Sequence, residues 1–326
     1  MSQASRLRTL LQRDGMVVAP GAYDCITARL IEQAGFSAVY MTGAGTAASL
    51  GYPDFGLVTM SEMVANAQRI STAVEVPVVA DADTGYGNEI NVFRTVREFE
   101  RGGVSGIHIE DQEFPKKCGH LEGKGIISRE DYLAKIRAAV AARCDKDFAI
   151  IARTDARAVA GFEEAIARAN GALAVGADMA FVEAPQTLEE VAAVPRLVDG
   201  PCLLNVVRGG KTPDLDLREA ETMGYKLAIV PGLLIKSVVG ICDQMLAALQ
   251  ATGRHPPPVK EITVPEMFRR FGADEWDALR ERFRAPDPAE SPQQQPRSDA
   301  PLDDNVRQLS QIAELRYFSW NYARSP

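Results

Sequence analysis

Apolar positions along this chain fall into two alternating textures. Short continuous apolar runs recur eight times between residues 16 and 232: MVVAP, AVYMTG, PVVADAD, GIHIED, FAIIARTDA, MAFVEA, PCLLNVV and LAIVPG. Most stay apolar until their last positions, the pattern of strands buried on both faces. Between them, CITARLIEQAG, MSEMVANAQRISTAV, NVFRTVREFERGG, SREDYLAKIRAAVAAR and GFEEAIARANGALAVGA have helical spacing, and several end in Gly, a common helix stop. Eight alternations of strand and helix over roughly 230 residues predict a (β/α)8 barrel across residues 1–250. A doubly wound open sheet would want G-x-G-x-x-G after the first strand, where the chain reads APGAYDC. GAGTAASLG, residues 43–51, lacks the spacing and lysine of a P-loop and reads as a turn that lets a ligand approach the backbone.

The two ends differ from this pattern. MSQASRLRTLLQRDGM is basic and amphipathic without a signal-peptide core, so it is expected to form a helix covering the barrel bottom. TGRHPPPVK breaks the alternation, and PEMFRRFGADEWDALRERF returns to helical spacing. Residues 284–304, RAPDPAESPQQQPRSDAPLDD, have almost nothing to bury and predict a disordered linker; residues 305–326 predict a terminal amphipathic helix.

Composition narrows the function classes. Hydrophobic residues at 46% and charged residues at 25% are the balance of a soluble globular protein. A net charge of −8, from 36 basic and 44 acidic residues without a basic stripe, argues against nucleic acid as a partner. No unbroken run of about 18 apolar residues occurs, so no membrane partner is expected. Cys25, Cys118, Cys144, Cys202 and Cys242 are odd in number, scattered and free of any C-x-x-C pair. Neither a zinc site nor a disulfide framework fits them, and a reducing cytoplasm does.

Catalytic groups of such barrels sit at the C-terminal ends of the strands. Here those ends carry Tyr23 and Asp24, Thr42 and Gly43, Asp81 and Asp83, Glu110 and Asp111, Arg153 and Asp155, Glu183, Asn205, and Pro231. Wet strand ends and helix caps account for an occasional Asp or Asn; they account poorly for Arg153 and Glu183 directly after apolar runs. Asp81, Asp83 and Glu110 come from neighbouring strands and suit Mg2+, with Mn2+ possible, partly through water. A glycosidase pair is the rival reading, and aromatics at 7% are few for sugar stacking. FPKKCGHLEGKG, residues 114–125, lies in a connection spanning 111–127, far longer than the usual two to six residues or so. Such a loop at a barrel mouth reads as a lid. Lys116, Lys117 and His120 are expected to lower the Cys118 pKa and to attract a carboxylate.

The stretch KKCGH at 116–120 resembles the K-[KR]-C-G-H signature of the isocitrate lyase and phosphoenolpyruvate mutase superfamily, nearest its 2,3-dimethylmalate lyase and methylisocitrate lyase-like members. APGAYDCITARLIEQAGFSAVYMTGAG, ADADTGYG, GIHIEDQ, IARTDA, FVEAP and LNVVRGGKTP resemble it in the same order, over residues 6–250. The resemblance implies Mg2+ dependence and a small 2-oxo or 2-hydroxy carboxylate substrate. It also implies a homodimer or homotetramer exchanging the eighth helix, with residues 251–283 completing the barrel or dimer. It implies that Asp81 and Asp83 hold the metal with Glu110 behind them, and that Thr42, Gly43 and Ala44 cradle a substrate carboxylate. Cys118 is implied as proton donor, with Lys116, Gly119 and His120 in the lid. Asp54, Arg153, Glu183 and Asn205 are the remaining substrate groups. Tyr40, Asp54 and Glu183 are candidates for the base. Carbon–carbon lysis is the expected activity, with oxaloacetate hydrolysis or decarboxylation, phosphonate mutase chemistry and a non-catalytic binding role as alternatives. Arg208 stands where the dimethylmalate lyase-like members usually have an acid, which leaves the substrate's distal group open.

Overall fold

The computed structural model describes residues 2–284 and divides the chain into two compact units, Met1–Val259 and the residues from Lys260 onward. The first begins with α1 (Gln3–Gln12), β1 (Val17–Ala22) and α2 (Cys25–Gln33). It continues with β2 (Val39–Met41), α3 (Gly43–Ser49), α4 (Met60–Ala73), β3 (Val78–Asp81) and α5 (Glu89–Arg101). Next come β4 (Gly106–Glu110), α6 (Arg129–Ala142), β5 (Ala149–Thr154), α7 (Ala156–Val159) and α8 (Phe162–Ala174). It ends with β6 (Met179–Val182), α9 (Leu188–Leu197), β7 (Cys202–Asn205), α10 (Leu217–Met223), β8 (Leu227–Val230) and α11 (Leu233–Thr252). The strands pair in parallel in chain order and β8 closes on β1, so the predicted (β/α)8 barrel is the fold.

Side chains alternate between barrel interior and helix layer with period two. Val17, Ala19, Val79, Ile151, Phe181, Leu203 and Ile229 pack together inside, and Leu7 of α1 is fully buried in the same cluster. Met41, Val78, Ala80, Ile107, Ile109 and Ile150 face the other way, against α4 and α5 residues such as Ala67, Ile70 and Phe99. Two residues further along the inward set, the apolar filling ends and polar groups begin: Val79 gives way to Asp81, Ile151 to Arg153, Phe181 to Glu183 and Leu203 to Asn205. Parallel register aligns them, with Asp81 opposite His108 and Glu110 opposite Arg153. The strand geometry thus gathers the charged side chains into one layer above the core.

Three local expectations change. GAGTAASLG forms the short helix α3, because Thr42 caps it by accepting from the Gly45 N–H, and Ala and Ser fill its turn. What approaches the backbone closely there is the protein's own Asp81 carboxylate, which a Cβ on Gly43 would overlap. PEMFRRFGADEWDALRERF is two helices, α12 (Val264–Arg269) and α13 (Ala273–Arg282), in the second unit, separated by Gly272 at φ +88°. Third, α11 is by length and composition apolar enough to cross a membrane, with mean hydropathy 1.4 and none of its residues buried, although Lys236 and Asp243 interrupt it. The predicted linker beyond Arg284 and the terminal helix at 305–326 lie outside the described residues. All five cysteines are free.

Candidate active site

A cavity of about 350 Å³ opens at the C-terminal end of the barrel. Eleven of the sequence-predicted residues line it: Tyr40, Thr42, Ala44, Asp54, Asp81, Cys118, Gly119, His120, Arg153, Glu183 and Asn205. Gly43, Asp83, Glu110 and Lys116 are not among its lining residues and bond to those that are. Leu121, Val207, Pro231, Ile235 and Lys236 complete the wall. Arg208 does not line it; its carbonyl accepts from Lys236 Nζ at 2.8 Å.

The acidic wall is organised around Asp81. Its Oδ1 accepts from the Asp83 N–H at 2.9 Å, while Oδ2 accepts from the Gly43 N–H at 3.2 Å and the Tyr40 hydroxyl at 3.3 Å. Burial pushes against its charge, but His108, Lys116 and Arg153 outweigh it and hold the carboxyl well below its usual range. Asp83, in a left-handed conformation at φ 48°, is raised by burial to about 6 despite Lys116 beside it. Such a conformation costs a non-glycine residue on the order of 1–3 kcal/mol and is found at functional sites. Lys116 Nζ bridges Asp54 Oδ1 and Asp83 Oδ1, each at 2.5 Å, with 2% of its side chain exposed. Burial opposes its charge, yet Asp83, Glu110, Asp81 and Asp54 together raise its pKa well above the ordinary value. Both oxygens of the fully buried Glu110 lack a hydrogen-bond donor, the nearest cation being Arg153 at 3.2 Å.

Opposite lies the arginine wall. Asp155 takes Arg153 in a two-point grip, Nε to Oδ2 at 2.9 Å and an Nη to Oδ1 at 3.2 Å. Glu183 stands 3.8 Å from the same guanidinium and accepts from Asn205 Nδ2 at 3.3 and 3.2 Å. His120 Nδ1 accepts the Lys211 N–H at 3.0 Å, so the neutral ring carries its proton on Nε2, 3.4 Å from Glu183. Burial lowers the His120 pKa, consistent with that neutral form. Tyr40 was approached in sequence only as a candidate base; its hydroxyl lies 2.8 Å from His108 Nε2, and burial lifts its pKa well above the usual value, so it keeps its proton.

The thiol behaves opposite to expectation. The Cys118 pKa is raised, first by burial and then by Asp54 and Glu183; the His120 backbone N–H pulls the other way and is outweighed. The nearby cations fail to lower it because Lys116 is committed to two carboxylates, and Lys117 Nζ turns outward to the Gly123 carbonyl at 3.4 Å. Cys118 therefore faces the cavity as a protonated thiol.

Sequence reasoning missed His108 and Lys124, and gave Asp111 no role beyond its place at the end of a strand. His108 was legible by alternation, two residues before Glu110 on the inward face; burial lowers its pKa to about 4. Asp111 is fully buried and accepts from Thr154 Oγ1 at 2.6 Å, the Asp155 N–H at 2.8 Å and Arg168 at 3.1 Å.

Buried carboxylates, a pinned arginine and a protonated thiol around one small cavity at a barrel mouth are the arrangement of an enzyme active site. The phosphoenolpyruvate phosphomutase family model matches residues 7–250, and the chain belongs to the phosphoenolpyruvate mutase/isocitrate lyase superfamily. It is 51% identical over 232 residues to the 2,3-dimethylmalate lyase of Eubacterium barkeri, covering 71% of this chain and 80% of that one. It is 46% identical over 272 residues to the 2-methylisocitrate lyase of Aeropyrum pernix, covering 83% and 88%. Among solved structures, oxaloacetate acetylhydrolase with 3,3-difluorooxalacetate superposes with TM-score 0.83 at 39% identity, covering 86% of this chain and 96% of that one. Phosphonopyruvate hydrolase with oxalate and Mg2+ superposes with TM-score 0.79 at 30% identity, covering 87% and 99%.

Proposed function

We propose that this protein is a Mg2+-dependent carbon–carbon lyase. Its substrate is a 2-hydroxy dicarboxylate of the 2-alkylmalate or methylisocitrate type, cleaved to pyruvate or a related 2-oxo acid and a second carboxylate. The observation that carries the reading is the half-buried, protonated Cys118 thiol lining the same small cavity as Arg153 and the Asp81 wall.

The residues present fit a hard divalent ion. Glu110 offers two buried oxygens that accept no hydrogen bond, one of them facing Arg153 at 3.2 Å, and Asp83 Oδ1 meets only the Lys116 ammonium. Among the described residues no three acidic, His or Cys side chains form a closed cage, which suits an ion that keeps several waters. Asp81 and Asp83 would hold it, with Glu110 behind. When bound, the ion supplies Lewis-acid polarisation of the substrate oxygens.

The chain's own groups do the rest. Thr42 and Ala44, at the start of α3, face a substrate carboxylate, and Gly43 fixes Asp81 through its N–H. Glu183, oriented by Asn205 and His120, takes the C2 hydroxyl proton; Asp54 is tied to Lys116 and Tyr40 holds its own proton. Arg153 stabilises the negative charge that develops on the departing carboxylate fragment. As C2 becomes a carbonyl, the C2–C3 bond breaks with its electron pair leaving on C3, and Cys118 protonates the carbanion so formed. Cys118→Ala is expected to lower kcat by about 10²–10⁴-fold while oxalate still binds; full turnover would remove the thiol from the mechanism. EDTA should abolish activity and Mg2+ restore it.

A second reading is hydrolysis of a 2-oxo dicarboxylate, favoured by the likeness to oxaloacetate acetylhydrolase. A panel of substituted malates, methylisocitrate, oxaloacetate and phosphonopyruvate separates the two, since lysis yields a 2-oxo acid and hydrolysis yields oxalate.

We further propose a homodimer or homotetramer that exchanges α11. The helix buries none of its residues within this chain, and Val239 and Leu246 are 54% and 64% exposed. A twenty-residue apolar face of this kind calls for cover. The free thiols agree with a reducing, cytoplasmic location.

A further inference from the structure

Lys124 lies on the return limb of the lid, between Gly123 and Gly125, where a solvated lysine would be ordinary. Instead 2% of its side chain is exposed. A buried ammonium is tolerated only when paired and hydrogen-bonded. Lys124 Nζ meets both conditions, with Asp155 Oδ1 at 2.6 Å and the Gly119 carbonyl as its acceptors.

Those two acceptors matter for the chemistry. Asp155 is the carboxylate that grips Arg153. Gly119 follows Cys118, whose own N–H donates to the Asp54 carbonyl at 3.1 Å. The backbone around the thiol is thus held on one side by Asp54 and on the other by Lys124. The turn is pressed hard onto its floor: a Cβ on Gly119 would overlap Glu183 and Arg153. At the root of the loop, Asp111 is bonded to the Asp155 N–H, so root and return limb both converge on Asp155.

We propose that Lys124 is a positioning residue that seats the Cys118–Gly119 turn on the Arg153–Asp155 pair, fixing the thiol over the cavity. It does not touch the substrate; it acts by tying the lid backbone to the anion that orients Arg153. The kinetic part of this proposal rests on the lyase reading above, and the labelling part does not.

The test compares Lys124→Met and Lys124→Arg in the full-length protein. Alkylation of each cysteine by iodoacetamide is followed by peptide mass mapping, with 1%-exposed Cys202 as an internal gauge of global opening. Lys124→Met is expected to speed Cys118 labelling at least about tenfold with Cys202 unchanged, and Lys124→Arg to restore most of the protection. If Lys124→Met does not fold, Lys124→Gln, which keeps a donor without the charge, takes its place. In the activity assay kcat should fall about a hundredfold in Lys124→Met while KM moves by less than about threefold, as for an interaction made at the transition state. Equal Cys118 labelling in wild type and variant overturns the proposal, as does a rise that Cys202 shares. Wild type that cleaves none of the panel, with the labelling difference intact, overturns the lyase reading and leaves the seating role standing.

Discussion

Lys116→Met removes a charge while keeping most of the bulk, and its effect is calculable in outline. Nζ sits 2.5 Å from Asp54 and 2.5 Å from Asp83. At an effective dielectric near 20, each such contact is worth roughly 7 kcal/mol before desolvation is counted, and desolvation of buried ions offsets much of it. Removing one partner leaves the desolvation in place and typically costs about 3–5 kcal/mol. Asp83 limits the loss, because it can take up a proton. Its pKa is about 6 with the lysine present, against 3.8 for an ordinary aspartate, and goes higher without it. At pH 7 the ionised wild-type group therefore already costs on the order of 3 kcal/mol, and a protonated one in the variant somewhat more, a difference on the order of 1 kcal/mol. The sign follows from proton counts: above pH 6 the folded variant holds a proton that its unfolded chain has released, so its stability falls with rising pH. The loss of the Asp54 partner adds to this. We expect a deficit of about 3 kcal/mol at pH 7, growing by roughly 1 kcal/mol per pH unit to pH 8. Urea unfolding of both proteins at pH 6, 7 and 8 measures it. Millimolar Mg2+ should stabilise the variant more than wild type, since added positive charge replaces what was lost. A deficit below about 1 kcal/mol at pH 8, or one that does not change with pH, refutes the account of Lys116 as the counter-charge of this wall.

Two further outcomes complement the Cys118 and Lys124 experiments. Burial pushes the Cys202 thiol from 9.0 up to about 12, so between those values the unfolded chain loses a proton that the fold retains, and stability falls as pH rises through that window. Cys202→Ala, at a packing cost of about 1 kcal/mol, should flatten the alkaline loss; an unchanged slope in urea unfolding between pH 9 and 11 counts against the burial argument. Leu246→Asp together with Val239→Asp should shift the protein to a smaller species in sedimentation velocity without altering barrel circular dichroism. Unchanged sedimentation would remove α11 from the subunit interface.

The barrel was legible because each of its rules is local. Apolar runs such as MAFVEA and LAIVPG show their burial without reference to any other part of the chain, and closure follows from repeating the unit eight times. The layer of Asp81, Glu110, Arg153, Glu183 and Asn205 was legible for the same reason, since each lies within one residue of the end of its own strand. What the local pattern does not carry is the allocation of charge between elements. KKCGH places two lysines and a histidine beside Cys118, and proximity in sequence argues for a lowered thiol pKa. In the fold, Lys116 turns to Asp54 and Asp83, residues 62 and 33 positions earlier, and the His120 ring accepts from Lys211. Lys116 answers carboxylates brought in by β3 and by the loop after α3, and Lys117 turns outward to the Gly123 carbonyl, leaving the thiol with burial as its dominant influence. That reversal strengthens the chemistry it first seemed to undercut. A thiolate in this cavity would be a nucleophile without a proton to give, whereas the carbanion of the proposed lysis needs an acid. Lys116, which would have helped ionise Cys118, instead holds the acidic wall together, so one arrangement serves both requirements. Lys116→Met should therefore disturb the acidic wall and leave the Cys118 pKa as high as before or higher, and a lowered Cys118 pKa in that variant would contradict this division of charge.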